Sequence, residues 1–296
     1  MNLRELGEDR LLQRLLPDLP ANREVIAGAG DDCAVVHFAE AEKLLLVKTD
    51  CVVEGVHFTP DAKPTAVGWK AMARPLSDFA AMSGLPRFAL VTLIAPASTS
   101  SRWITSLYRG LAKAARMFDV AIVGGETSRT GGPLAISVSI TGEVETDRWV
   151  SRSGGAVGDE LFVTGELGGS IRGKHLRFIP RIHEARWLTE GFRIRAMMDL
   201  SDGLGADLPR LARASGVGFE VDESAVPRSR GCSAEQAISD GEDYELLFAV
   251  GAAEAVALQT RWRRKFPKLR LTRIGRFIRT SEVADRKLPR GYVHFQ

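Results

Sequence analysis

With 296 residues the chain is long enough for two domains and a large core, so its stability calls for neither a metal nor a disulfide staple. Its 40 Lys and Arg against 37 Asp and Glu leave a formal charge of +3, which argues against a general nucleic-acid or membrane surface. Three widely spaced cysteines, Cys33, Cys51 and Cys232, lack CxxC spacing, no apolar run nears the ~20 residues of a membrane helix, and the amino terminus is too acidic for a signal peptide, so a soluble cytoplasmic protein is expected.

Apolar residues at 3, 6, 11, 12, 15 and 16 predict a short amphipathic helix over Leu3–Leu16 that ends before Pro17. A glycine-rich turn at Gly28–Gly30 then feeds a strand through Val36, and a second strand over Leu44–Lys48 ends at Thr49-Asp50. Pro64 to Ser83 reads as a helix in which Pro75 removes a backbone donor, which predicts a bend just before Leu76-Ser77-Asp78 and an exposed Asp78. Phe88–Ile94 is an apolar strand, Ser101–Phe118 an amphipathic helix, and Val120–Val123 a buried strand delivering Gly124-Gly125-Glu126. Leu134–Val144 alternates apolar and polar residues, as a half-buried antiparallel strand does.

Small and charged residues gather between Glu145 and Gly158 and mark a boundary between an N-terminal domain, 1–147, and a C-terminal domain, 148–296. Beyond it stand a strand at Glu160–Thr164, helical segments around Pro180–Leu188 and Gly205–Ala214, and strands near Gly218–Val221, Tyr244–Val250 and Leu269–Phe277. The basic run Arg261-Trp262-Arg263-Arg264-Lys265 reads as one solvated helix face. Helices and strands mix in both halves without a strict βαβ rhythm, so the expected class is α+β, two domains of mixed sheets with flanking helices.

The stretch from Met198 to Asp207 puts Asp199, Ser201, Asp202 and Asp207 between a possible strand and a possible helix. Asp31-Asp32, Thr49-Asp50, Ser77-Asp78 and Gly125-Glu126 repeat the theme of acid beside glycine, hydroxyl or a strand end. Any one of them alone is accounted for as a turn or cap. Their accumulation, without matching His or Cys clusters, favours Mg²⁺ and hence phosphate chemistry. Gly168-Gly169-Ser170-Ile171-Arg172-Gly173-Lys174-His175 nearly spells a phosphate loop, but His175 replaces the hydroxyl that holds the metal. His57 and Tyr108 by themselves read as packed residues, and Arg152 as a loop residue.

Six segments in order closely resemble the thiamine-monophosphate kinase family: Gly30-Asp31-Asp32, Thr49-Asp50 with Glu54-Gly55-Val56-His57-Phe58, Lys70-Ala71-Met72-Ala73 with Leu76-Ser77-Asp78, Gly124-Gly125-Glu126-Thr127, Asp199-Leu200-Ser201-Asp202-Gly203, and Gly241-Glu242-Asp243-Tyr244-Glu245. The resemblance spans residues 25 to 250 and implies the two-domain aminoimidazole ribonucleotide synthetase-like fold, a homodimer joined through its N-terminal sheets, and ATP-dependent phosphorylation of thiamine monophosphate with several Mg²⁺ ions. It assigns metal binding to Asp32, Lys48, Thr49, Asp50, Asp78, Glu126, Asp199 and Asp202, and ATP contacts to Tyr108, Gly125, Glu126, Arg152 and Ser201. Thiamine phosphate falls to His57 and Glu242, and no protein nucleophile is implied, with Arg152 stabilising charge. This sequence departs from the pattern at Glu126, where the family usually has Asp, at Pro75, in a shorter segment from Gly168 to Arg181, and at Pro289. The runner-up is an enzyme of the same scaffold with another small acceptor, or a silent nucleotide-binding relative.

Overall fold

The structure is a computed structural model that describes residues 10, 13, 24–27, 31–37, 42–282 and 288–292. Of the helix expected over Leu3–Leu16 only Arg10 and Gln13 are described, both helical; the rest of it and the turn at Gly28–Gly30 lie outside the described residues.

The first half builds a six-stranded sheet from β1 (Val25–Ala27), β2 (Ala34–Val36), β3 (Lys43–Val53), β4 (Leu85–Pro96), β5 (Ala121–Thr130) and β6 (Ala135–Glu145). Their order across the sheet is β1-β2-β3-β6-β4-β5, antiparallel except for the parallel pair β4 and β5. Helices α1 (Pro64–Ala81) and α2 (Ser101–Met117) pack on this half. The second half forms a five-stranded antiparallel sheet, β8-β10-β7-β11-β9, from β7 (Glu160–Thr164), β8 (Ile194–Asp199), β9 (Gly218–Val221), β10 (Leu246–Val250) and β11 (Leu271–Ile278). Its helices are α3 (Ile182–Gly191), α4 (Leu204–Ala214), α5 (Ala234–Ser239) and α6 (Ala252–Lys265). The class is the expected α+β.

The helix α1 organises the molecule. Apolar residues occur on every side of it, from Val67 and Trp69 through Met72 and Leu76 to Phe79, and a helix apolar all round has to be enclosed. It is enclosed by α2 and the first sheet on one side and by α3 and β8 of the second half on the other. Its crossing with α2 is close because both contact points are glycines: a Cβ on Gly68 would stand 2.0 Å from the Leu107 carbonyl oxygen, and one on Gly110 2.0 Å from that of Thr65. One hydrophobic core therefore runs through both halves, joining Leu46, Phe79 and Ile140 to Phe162, Phe248 and Trp262. The opposite face of the second sheet closes a second core with Leu161, Val163, Leu247, Leu208 and Phe277.

Four expectations are corrected. The strand β3 does not end at Thr49-Asp50 but runs on to Val53, because its pairing with β6 continues to Val53–Ala135. Pro75 lies inside α1, and Asp78 is buried, 6% exposed, because the helix is sandwiched between the halves instead of breaking towards solvent. The strand β5 extends to Thr130 and is a largely exposed edge, not a buried strand, since only β4 pairs with it. The basic run of α6 has Trp262 fully buried among its exposed arginines, so that helix face is solvated only around the tryptophan. The short helix α5 was not expected, although Ser233-Ala234-Glu235-Gln236 spells a capping box: the Ser233 hydroxyl accepts from the Gln236 amide at 3.0 Å and the Gln236 side chain accepts from the Ser233 amide at 3.1 Å.

Candidate active site

Three carboxylates from three distant parts of the chain meet where the halves join: Asp32 just before β2, Asp78 on α1 and Asp199 at the end of β8. One oxygen from each lies within 4.8 Å of the others, and all three residues are buried. The Ser77 hydroxyl, beside Asp78 on α1, donates to Asp199 Oδ2 at 2.6 Å and ties the helix to the second sheet. Arg152, in the segment between the sheets, donates from Nε and Nη2 to the two oxygens of Asp32 at 3.0 and 2.9 Å, while its amide donates to Asp31 Oδ1 at 2.6 Å. Lys48 on β3 stands 2.9 Å from Asp78 Oδ1 and 4.0 Å from Asp50 Oδ2.

These cations do not fully offset the acids. Burial, with Asp32 next in effect, lifts Asp199 to about 7, and burial likewise carries Asp78 well above the ordinary carboxylate value. Burial also pushes Asp50 up, but Lys48 and Arg74 together outweigh it and hold this carboxyl below its usual range. A buried set of carboxylate oxygens short of cationic partners fits a hard divalent cation such as Mg²⁺ by its donor chemistry.

A cavity of about 380 Å³ opens next to the cluster, with His57, Arg74, Ser201, Asp202, Glu242 and Tyr244 among its walls. Its floor is the Gly241–Tyr244 turn before β10, where Glu242 and Tyr244 take positive φ values of 63° and 52°. Side chains other than glycine hold such angles only where the surroundings over-determine them. Here the Glu242 amide donates to the Ser201 carbonyl at 2.6 Å, the Tyr244 amide donates to that of Leu200 at 2.8 Å, and the Tyr244 ring stacks on Phe178 at 3.9 Å. Lys70, fully buried on α1, donates to Glu242 Oε2 at 2.5 Å and to the His57 carbonyl at 2.5 Å, and its Nζ stands 2.8 Å from His175 Nδ1. Burial lowers Lys70 to about 8 against the pull of Glu242, whereas partial burial would raise Glu242 but His175 and Lys70 outweigh it and hold it at about 2. The pair is therefore ionised at neutral pH.

The assigned residues divide by position. Asp32, Asp78 and Asp199 form the cluster, with Lys48, Asp50 and Arg152 beside it, and His57, Ser201, Asp202 and Glu242 line the cavity. Asp202 binds Arg210 and takes no part in the three-acid group. In the first sheet Asp50 aligns with Val138 and Val91 on the helix-covered face, whereas Cys51, Ser137, Thr92 and Glu126 share the next row; successive residues alternate, so Thr49 and Glu126 belong to the open face. Thr49 Oγ1 there meets Ser139 Oγ at 3.0 Å, and Glu126 Oε1 accepts from the Thr127 amide at 2.9 Å. Gly125 is required locally: its φ is 156° and a Cβ would lie 1.8 Å from the Val91 carbonyl oxygen. Tyr108 is half-buried against the first core.

The segment resembling a phosphate loop is occupied by the protein's own acids. The Gly168 amide donates to Asp243 Oδ2 at 2.9 Å, the Gly169 amide donates to Asp240 Oδ2 at 2.8 Å, and Lys174 Nζ sits 3.4 Å from Asp243. Sequence reasoning gave no role to Lys70, Arg74, Ser77 or His175. The available signal was Lys70 and Arg74 one turn apart in a helix whose other positions are almost all apolar or small, because a cation enclosed on such a helix must have a partner.

Residues 30–144 match the family model of the AIR synthase related protein, N-terminal domain, and residues 150–284 that of the C-terminal domain. A thiamine-monophosphate kinase of Rhodopirellula baltica is 38% identical over 92% of this chain and 92% of its own, and that of Aquifex aeolicus 35% identical over 100% of both. Among solved structures, "AaThiL complexed with AMPPCP and TMP" is 33% identical over 99% of each chain with a TM-score of 0.84.

Proposed function

Because the chain belongs to the thiamine-monophosphate kinase family, built from the two AIR synthase related domains, we infer that its cleft carries out ATP-dependent phosphorylation of thiamine monophosphate to thiamine diphosphate. The observation that carries the reading is the buried group of Asp32, Asp78 and Asp199 beside the cavity lined by His57 and Glu242. In the reaction an oxygen of the acceptor's phosphate bonds to the γ-phosphorus of ATP while the bond to the β,γ-bridging oxygen breaks and ADP leaves with that electron pair. The attacking oxygen belongs to a phosphate dianion and carries no proton, so no protein base or nucleophile is needed.

What remains for the protein is positioning and charge. Asp32, Asp78 and Asp199, with Asp50 and the backbone of Lys48, are the residues assigned to magnesium. Bound Mg²⁺ would supply neutralisation of the phosphoryl oxygens. Arg152, held on Asp32, puts a permanent positive charge at the cluster, and the turn at Ser201 borders the same cleft. Tyr108, Gly125 and Glu126 are assigned to the nucleotide, and the resemblance also assigns Thr49, Glu126 and Asp202 to the metal. The Lys70–Glu242 pair fixes the far wall, where the acceptor is bound with His57.

The open face of the first sheet exposes Val47, Phe88, Leu90 and Val123, which supports a homodimer joined through these sheets, a matter for sedimentation. The cysteines Cys33, Cys51 and Cys232 are all free thiols, and no helix among the described residues is long and apolar enough to cross a membrane, which is in keeping with a cytoplasmic enzyme. The deciding experiment incubates the protein with ATP, Mg²⁺ and thiamine monophosphate and follows ADP and thiamine diphosphate together by chromatography. Equal amounts of the two are expected. ADP release with another small acceptor but not with this one would keep the scaffold and remove the substrate.

A further inference from the structure

Arg74 has so far only helped Lys48 to hold Asp50 low. It stands one helical turn beyond Lys70 on α1 and forms part of the cavity wall with Ser201, Asp202 and Tyr244. Its guanidinium is under-used: Nη1 donates to the Cys51 carbonyl at 2.7 Å, Nη2 is 3.6 Å from Asp50 Oδ1, and Nε is buried with no hydrogen-bond partner. Glu242, the acid of the same wall, is taken by Lys70 at 2.5 Å and His175 at 2.9 Å. The contrast with Arg152, whose fork is filled by both oxygens of Asp32, is direct. A half-buried guanidinium whose buried Nε has no partner is costly unless something bidentate and anionic completes it.

Its place says what that anion is. Asp50 adjoins Asp78 through Lys48, so Arg74 lies between the cavity on one side and the carboxylate cluster on the other. An acceptor held in the cavity must direct its reacting phosphate across that position to meet a nucleotide phosphate at the cluster. We propose that Arg74 binds the phosphate monoester of the acceptor, and that it is the residue by which this site selects a phosphorylated acceptor over the free alcohol. The proposal rests on the kinase reading above. Arginine suits the task because its planar fork matches two phosphate oxygens, whereas lysine offers a point charge.

The test compares the whole enzyme with Arg74→Gln and Arg74→Lys by steady-state kinetics, and uses thiamine, which lacks the phosphate, as a competitive inhibitor. Michaelis constants do not depend on the fraction of correctly folded enzyme, so partial misfolding does not obscure the outcome. Arg74→Gln should raise KM for thiamine monophosphate about thirtyfold to a hundredfold, in line with loss of a charged hydrogen-bond pair. KM for ATP and the inhibition constant of thiamine should stay within about twofold, and Arg74→Lys should recover part of the loss. An unchanged KM for thiamine monophosphate, a matching rise for ATP, or equal weakening of thiamine would each overturn the assignment while leaving the kinase reading intact. Wild-type enzyme that does not turn over thiamine monophosphate would instead overturn that reading and this one with it.

Discussion

Removing the charge at position 199 should change how the metal-free protein responds to pH. Asp199 is held near 7 against an ordinary 3.8, first by burial and then by Asp32, so the folded state keeps a proton that the unfolded chain gives up. Its contribution is therefore fully present below about pH 4 and is lost as pH rises to about 7, at about 1.4 kcal/mol per pH unit. Across those three or so units the loss is about 4 kcal/mol, a large share of the ~5–15 kcal/mol that holds a typical protein folded. Asp78, raised by the same burial, shifts stability in the same direction, whereas Glu242, held at about 2, changes it only in more acidic solution. The assay is urea denaturation in EDTA at pH 5, 6, 7 and 8 for the wild type and Asp199→Asn. Wild-type stability should fall over this range by about 2–3 kcal/mol more than that of the variant. Saturating Mg²⁺ should restore it at pH 8 by about 2.7 kcal/mol at a hundred times the dissociation constant, and by far less at pH 5, where the ligands hold protons. Parallel pH curves for the two proteins, or equal Mg²⁺ stabilisation at both ends, would refute the reasoning.

Asp78→Asn and Asp50→Asn should each lower kcat at least about a hundredfold, as loss of a preorganised charge does, and near-normal turnover in both would reduce these acids to structural partners. Glu126, on the open face with the Thr127 amide as partner of its Oε1, should tolerate Gln with the Mg²⁺ concentration for half-maximal activity unchanged within about twofold; a marked rise would place it among the ligands. Lys70→Met strips Glu242 of its main buried counter-charge and should cost about 3–5 kcal/mol in urea denaturation, most of it recovered in the double variant Lys70→Met/Glu242→Gln. A single-variant cost below about 1 kcal/mol would show that His175 alone suffices for Glu242.

Much of this protein was legible in its sequence because the relevant signals are local. Alternation from Leu134 to Val144 marked β6, and the apolar run at Glu160–Thr164 marked β7 to the residue. The accumulation of acids at Asp32, Asp50, Asp78 and Asp199 pointed to a hard cation before any geometry was known, since carboxylates beside glycines and hydroxyls have no other common use in such number. Local patterns do not carry register or enclosure, and those were decided by the tertiary structure. Whether Pro75 breaks a helix depends on what surrounds it, and here both halves of the molecule close on α1, so the helix continues and Asp78 is buried. Thr49 and Asp50 are neighbours in sequence but belong to opposite faces of β3, because the pairing with β6 runs unbroken through them. The roles of Lys70 with Glu242, Arg152 with Asp32 and Ser77 with Asp199 depend on partners more than a hundred positions away, and only the closing of two domains around one helix brings those charges within hydrogen-bond reach.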